Sequence, residues 1–125
     1  MGCRCVIVSK DTDREHANQM IGIYLHSHGD EDTVKELLEE VKSKAPRDVI
    51  SDPSYGWART CQIIANVLTS EALNSQYETA HDHAYETGIG IDIVSRLDCH
   101  NYDNGVWYID ENWNIVKHTD GQELV

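Results

Sequence analysis

Cys3-Arg4-Cys5 and His26-Ser27-His28 are the residues best spaced to do chemistry. Residues two apart on a strand point to the same side, so each pair makes a two-ligand comb. Two thiolates and two imidazoles on one face would satisfy the softness and tetrahedral geometry of structural zinc. An antiparallel hairpin turning in the polar segment 10–19 would set Cys3 and Cys5 opposite His28 and His26. The same pattern also fits ordinary buried cysteines beside a polar strand end. A second cluster, His81-Asp82-His83 with Asp98-Cys99-His100, has comparable ligand chemistry but no clear element to position it. Cys61 falls on the apolar face of an expected helix and reads as core, and His16 and His118 read as solvated.

His26-Ser27-His28-Gly29-Asp30 permits a catalytic reading, in which His26, His28 and Asp30 hold a metal for a hydrolase. The segment resembles the His-x-His-x-Asp start of metallo-β-lactamase-like hydrolases and the His-Ser-His segment of metal-dependent isopeptidases. The first pattern continues with a histidine where Glu31 stands, and the second requires a Ser-x-x-Asp soon after the turn, a spacing that the segment following His28 does not have. Gly88-Ile89-Gly90 is too short for a nucleotide loop, and there is no Walker lysine and no Gly-x-Ser-x-Gly elbow. The chain therefore reads as a binding protein more than as an enzyme.

At 125 residues the chain matches one domain spanning 1–125 with a single core. No apolar run approaches the ~20 residues needed to span a bilayer, and the apolar stretch after Arg4 is too short for a signal-peptide core. Four cysteines, irregularly spaced, are expected to be reduced thiols or ligands in a cytoplasmic protein. The formal charge of −12, from 22 acidic and 10 basic residues, repels phosphate backbones and anionic membranes. It argues against direct nucleic-acid binding and favours a partner with a basic surface.

Two periods organise the chain. Arg4 to Ser9 is β-branched and apolar, and Ile21, Ile23 and Leu25 alternate with Gly22, Tyr24 and His26, so both segments read as strands. After Gly29 the period changes: Val34, Leu37, Leu38 and Val41 form one helical face, capped by Asp30 or Asp32 and stopped near Lys44 by Pro46. Asp52-Pro53 announces a second helix, with Trp57, Cys61, Ile64 and Leu68 on one face and Val67 at its edge. Ala72, Leu73, Tyr77, Ala80 and Ala84 permit a further helix within 70–87. Ile89, Ile91 and Ile93 alternate again, and strands Val106–Ile109 and Trp113–Val116 follow, with turns at 103–105 and 110–112. The expected fold is α+β, an antiparallel sheet of about five strands in ββααβββ order with the helices packed on one face.

This layout resembles a loose group of small phage and mobile-element proteins. They open with a short strand, continue with a strand ending in a His-Trp-Asp-Gly-Tyr-Pro-like turn, enter an amphipathic helix and finish on a Trp-Tyr strand. Arg4–Lys10, the run from Ile23 to Gly29, and Gly105-Val106-Trp107-Tyr108 are similar to these parts. His26 and Gly29 fall on the turn's His and Gly, whereas Ser27 and His28 replace its Trp and Asp. The resemblance implies a setting in which small acidic proteins bind and block host defence proteins, anti-CRISPR proteins among them.

The first helix carries the residues for such a role. With its apolar face inward, Asp32, Glu36, Glu39 and Glu40 point outward as a surface able to mimic a row of phosphates for a basic host protein. Lys35 and Lys44 offset part of that charge through Glu31 and Glu40. The alternative role is a small zinc-binding protein or metal-dependent hydrolase. Exposed strand edges and the tryptophans leave room for a homodimer.

Overall fold

A computed structural model describes residues 4–10, 21–44, 47–73, 88–93 and 104–119. In chain order the elements are β1 (Cys5–Ser9), β2 (Ile21–Leu25), α1 (Glu31–Ser43), α2 (Pro53–Leu73), β3 (Ile89–Ile93), β4 (Val106–Ile109) and β5 (Ile115–Thr119). The strands form one sheet in the order β3-β2-β1-β4-β5. This is the α+β fold in the ββααβββ order that the periodicity predicts. Of the further helix expected within 70–87, residues 70–73 belong to α2, and the rest, like the cluster at 81–83 with 98–100 and Cys3, falls outside the described residues.

The sheet departs from the all-antiparallel expectation at its centre. β1 pairs antiparallel with β2 but parallel with β4, in the register Val6↔Val106 to Ser9↔Ile109. A parallel neighbour requires a long crossover rather than a hairpin, and the two helices lie in the chain between β1 and β4. β1 is thus buried at every position, flanked on both sides and apolar throughout, as interior strands are.

Alternation divides the sheet into two faces. Cys5, Ile7, Ile23, Leu25, Trp107 and Ile109 join the inner residues of the helices in one core cluster. Val6, Val8, Val106 and Tyr108 occupy the opposite face and are also buried. Each fully buried aliphatic side chain contributes about 1.5–3 kcal/mol relative to exposure, so the four inward residues of α1, Val34, Leu37, Leu38 and Val41, bind that helix firmly to the sheet.

α2 begins as its Asp-Pro start predicts. Pro53 occupies the first helical position, where no N–H is needed. Ahead of it the Asp48 carboxylate accepts hydrogen bonds from the N–H groups of Ile50 (2.9 Å) and Ser51 (2.6 Å), which folds residues 48–51 into a tight turn. These N–H donors, Ser51 first, hold the Asp48 carboxyl below its ordinary range. The turn lies so close to α2 that a Cβ on Gly56 would overlap the Asp48 carbonyl.

The last strand starts two residues later than the sequence pattern predicts. Trp113, expected within it, has φ 57° and belongs to the turn. The Asp110 carboxylate accepts from the N–H groups of Asn112 (2.8 Å) and Asn114 (2.9 Å), which curls the chain before β5 begins. A left-handed non-glycine residue costs about 1–3 kcal/mol. Trp113 offsets this by burying its ring to 7% exposure and donating Nε1–H to Thr60 Oγ1 on α2 at 3.1 Å.

Candidate partner-binding surface

α1 is anchored at its N-terminal end. Asp30 is the N-cap, its carboxylate accepting from the backbone N–H (3.1 Å) and hydroxyl (2.9 Å) of Thr33. Glu31 and Asp32 in the first turn suit the positive end of the helix, and Lys42 lies in the last turn. From the helix-bearing face of the sheet, Trp107 Nε1–H donates to the carbonyl of Gly29 at 2.9 Å, tying β4 to the residue before the cap. A helix held this way presents its outer face with little freedom.

Asp32, Glu36, Glu39 and Glu40 are all exposed on that outer face, as the 3.6-residue period requires. Their neighbours neutralise them unevenly. Lys35 Nζ donates to Glu31 Oε2 at 2.6 Å, and Lys44 Nζ lies 3.6 Å from Glu40 Oε2. The Lys35 hydrogen bond pulls the Glu31 carboxyl down and raises the Lys35 ammonium in return. Asp32, Glu36 and Glu39 form no ion pair among the described residues, although the Asp32 charge adds to the rise of the Lys35 ammonium.

Beside this stripe runs a groove that the sequence did not reveal. Its α1 wall carries Thr33, Glu36, Leu37 and Glu40, with Lys35 and Glu39 beside them, and its α2 wall carries Val67 and Ser70, around a cleft of ≈ 680 Å³. A smaller cleft of ≈ 240 Å³ continues it past Lys44, with Ile63 and Asn66 on the α2 side. Each wall follows helical spacing, as two helices side by side require. The signal for the second wall was present as Ile63, Asn66, Val67 and Ser70, at i, i+3, i+4 and i+7. It is weak because that stripe mixes polar and apolar residues.

The zinc-type residues are placed differently from the expected hairpin. Cys5 pairs with Leu25 rather than His26. This difference of one residue sends the two side chains to opposite faces. Cys5 is fully buried in the helix-side core. His26 is exposed on the other face, where its Nδ1 lies 2.7 Å from the Tyr24 hydroxyl and its backbone N–H donates to the carbonyl of Gly88. Gly88 adopts φ 64°, a conformation suited to glycine, as it leads into β3.

His28 is half-buried, and its Nδ1 has no hydrogen-bond partner among the described residues. That orphaned nitrogen has the chemistry of a ligand. Among the described residues no three of His, Cys, Asp and Glu gather as a metal-holding group. Asp30, the third member of the hydrolase reading, is engaged as the helix cap.

Two further side chains have roles their sequence context conceals. Cys61 is half-buried at the edge of the α2 core face, and burial pushes its thiol up, away from nucleophilic thiolate. His118, read as solvated, is exposed but stacks on Trp107 with ring centroids 3.8 Å apart.

Comparison with known families, curated proteins and solved structures finds no match to this chain. No helix among the described residues is long and apolar enough to cross a membrane.

Proposed function

We propose that this chain is a binding protein that attaches to a basic protein of its host through the outer face of α1 and blocks it. The acids that form no ion pair among the described residues, Asp32, Glu36 and Glu39, carry this reading. With Glu40 they place four carboxylates along nine residues, about 12 Å at 1.5 Å of rise per residue. That is about one charge per 4 Å, near the 3.4 Å per phosphate along one strand of duplex DNA. A rigid row at this pitch offers a nucleic-acid-handling protein a substitute for its ligand, and complementary charge accelerates the encounter.

The setting implied by the phage-like pattern, with inhibitors of the anti-CRISPR kind, agrees with this role. Like-charged neighbours at i, i+4 disfavour a helix by a few tenths of a kcal/mol each. The stripe is thus a small cost that the apolar face outweighs, and charge retained at a cost to the helix is the pattern of a surface used for recognition.

The test is capture from host lysate by the immobilised protein and by the variant D32N/E36Q/E39Q/E40Q. A basic partner should be retained by the unaltered chain, released by raised salt and absent from the variant. Retention of the same partners by both proteins would refute the reading.

A further inference from the structure

We infer that the groove between α1 and α2 seats a basic amphipathic helix presented by the partner. This rests on the acidic-surface reading above and narrows it from a charged surface to one class of ligand. The groove lies between two packed helices: Thr33, Glu36, Leu37 and Glu40 step along one side at i, i+3, i+4 and i+7, with Lys35 and Glu39 also lining it, and Ile63, Asn66, Val67 and Ser70 step likewise along the other. A furrow of that origin is complementary to the side-chain ridge of a third helix. From Thr33 to Lys44 it runs eleven residues, about 16 Å or three turns. A strand of three turns' length would offer its side chains at a period of two, out of step with both walls.

The chemistry of the lining selects the ligand's two faces. Leu37 and Val67 form an apolar floor that takes Leu, Met or Ile from successive turns. Glu36 and Glu39 stand at the rim without a cationic partner among the described residues, so the flanking positions of the ligand are Lys or Arg. Lys35 does not compete for them, being held by Glu31 at 2.6 Å. The cleft of ≈ 680 Å³ is within the range of sites that take a few anchoring side chains. Groove and stripe thus share one edge of α1, and a single helix can use both.

The experiment compares two fluorescein-labelled peptides of one composition, Leu, Lys and Arg with a few Ala. One is ordered as an amphipathic helix and the other is scrambled to have no apolar face. Anisotropy titrations follow each against the full chain, at low and high salt. The amphipathic peptide should bind at least about tenfold more tightly than its isomer, since apolar anchors in a pocket dominate such interfaces. Ser70 is exposed on the α2 wall, so Ser70→Trp fills the groove and leaves every acid in place. It should abolish the tenfold preference without changing the scrambled peptide's affinity, while E36Q/E39Q weakens both peptides. Circular dichroism melting of each variant verifies its fold.

Equal binding of the two peptides, or an unchanged preference in Ser70→Trp, would overturn the groove and leave the acidic surface standing. Loss of all salt-dependent peptide binding would overturn both. Sedimentation tests the remaining occupant: a dimer that Ser70→Trp dissociates would show that a second copy of the chain fills the groove, and would also overturn the inference.

Discussion

The β1–β2 hairpin and α1 both carry side chains able to do chemistry, and they respond oppositely to small shifts in structure. On the hairpin, function would require Cys5 and His26 to share a face, and sharing depends on the parity of one register. Pairing Cys5 with Leu25 separates them completely. On α1 the acids occupy a broad arc, and moving a helix boundary by one residue leaves them on the same arc. A cluster written at a period of two is fragile to register. One written at a period of 3.6 needs only the helix.

The sharpest way to break this comparison is at Cys5. As a fully buried core residue, Cys5→Asp should destabilise by about 3–5 kcal/mol, because it leaves an unpaired charge in the interior. Cys5→Val should cost under about 1.5 kcal/mol, being apolar and close in volume. Denaturant melts give both values. Were Cys5 a metal ligand, the valine variant would be damaged as badly as the aspartate and would lose its sensitivity to chelator.

The two faces of α1 supply the next contrast. Leu38→Ala should cost about 2–5 kcal/mol, through lost burial and the cavity left behind. Glu36→Gln and Glu39→Gln should each stay within about 0.5 kcal/mol, as surface substitutions do. Chemical denaturation of the three variants checks the pair of expectations. A costly glutamine substitution would mean that the stripe serves the fold and not a partner.

The smallest effects are in pH dependence. Both Glu31 and Asp48 have folded-state carboxyls below their ordinary range. Their contribution is therefore present above the unfolded-state value and is lost as pH falls through the folded one. The raised Lys35 ammonium gives the opposite sign, a contribution lost only at strongly alkaline pH. Asp48→Asn should thus be less stable than the unaltered chain at neutral pH, with the gap closing in acid. Lys35→Ala should show a smaller gap that closes at both extremes. Melting temperatures measured across pH would read out these gaps, and an Asp48→Asn gap that widened in acid would contradict the assignment.

The helices were legible because each signal was redundant. α1 had its apolar period, its cap and the proline beyond it, and α2 had Asp52-Pro53 and the Trp57, Ile64 and Leu68 face. The strands were legible as segments, since Ile and Val alternate with small or polar residues. The β1–β2 and β4–β5 hairpins were legible as well, but the remaining neighbours were not, because long-range pairing is set by tertiary packing that no local pattern encodes. This hid the parallel β1–β4 contact and the Cys5 register. Trp113 misled for a related reason: its side chain is strand-like, but its backbone follows the Asp110 turn and its indole seeks Thr60. The acidic half of the candidate surface was visible on one helix. The groove was not, since it exists only once α2 lies alongside.

The parallel contact at the centre of the sheet has a consequence for how the chain reaches its structure. β1 bridges the β3-β2 and β4-β5 halves, and its partner on one side, Val106 for Val6, is 100 residues away. The hairpin partner Ile23 is only 16 residues from Ile7. Loop-closure entropy grows with the logarithm of length, so joining β4 costs about 1.5 kcal/mol more than joining β2 before any contact compensates. The hairpin and α1 can assemble early from near neighbours, and the sheet closes when the Trp107 strand docks against β1. Contacts so distant slow folding, and during synthesis β1 must wait with one edge unpaired until residues 106–109 emerge. An apolar strand exposed for that interval invites pairing with other chains, and the strong negative charge of this protein keeps such chains apart.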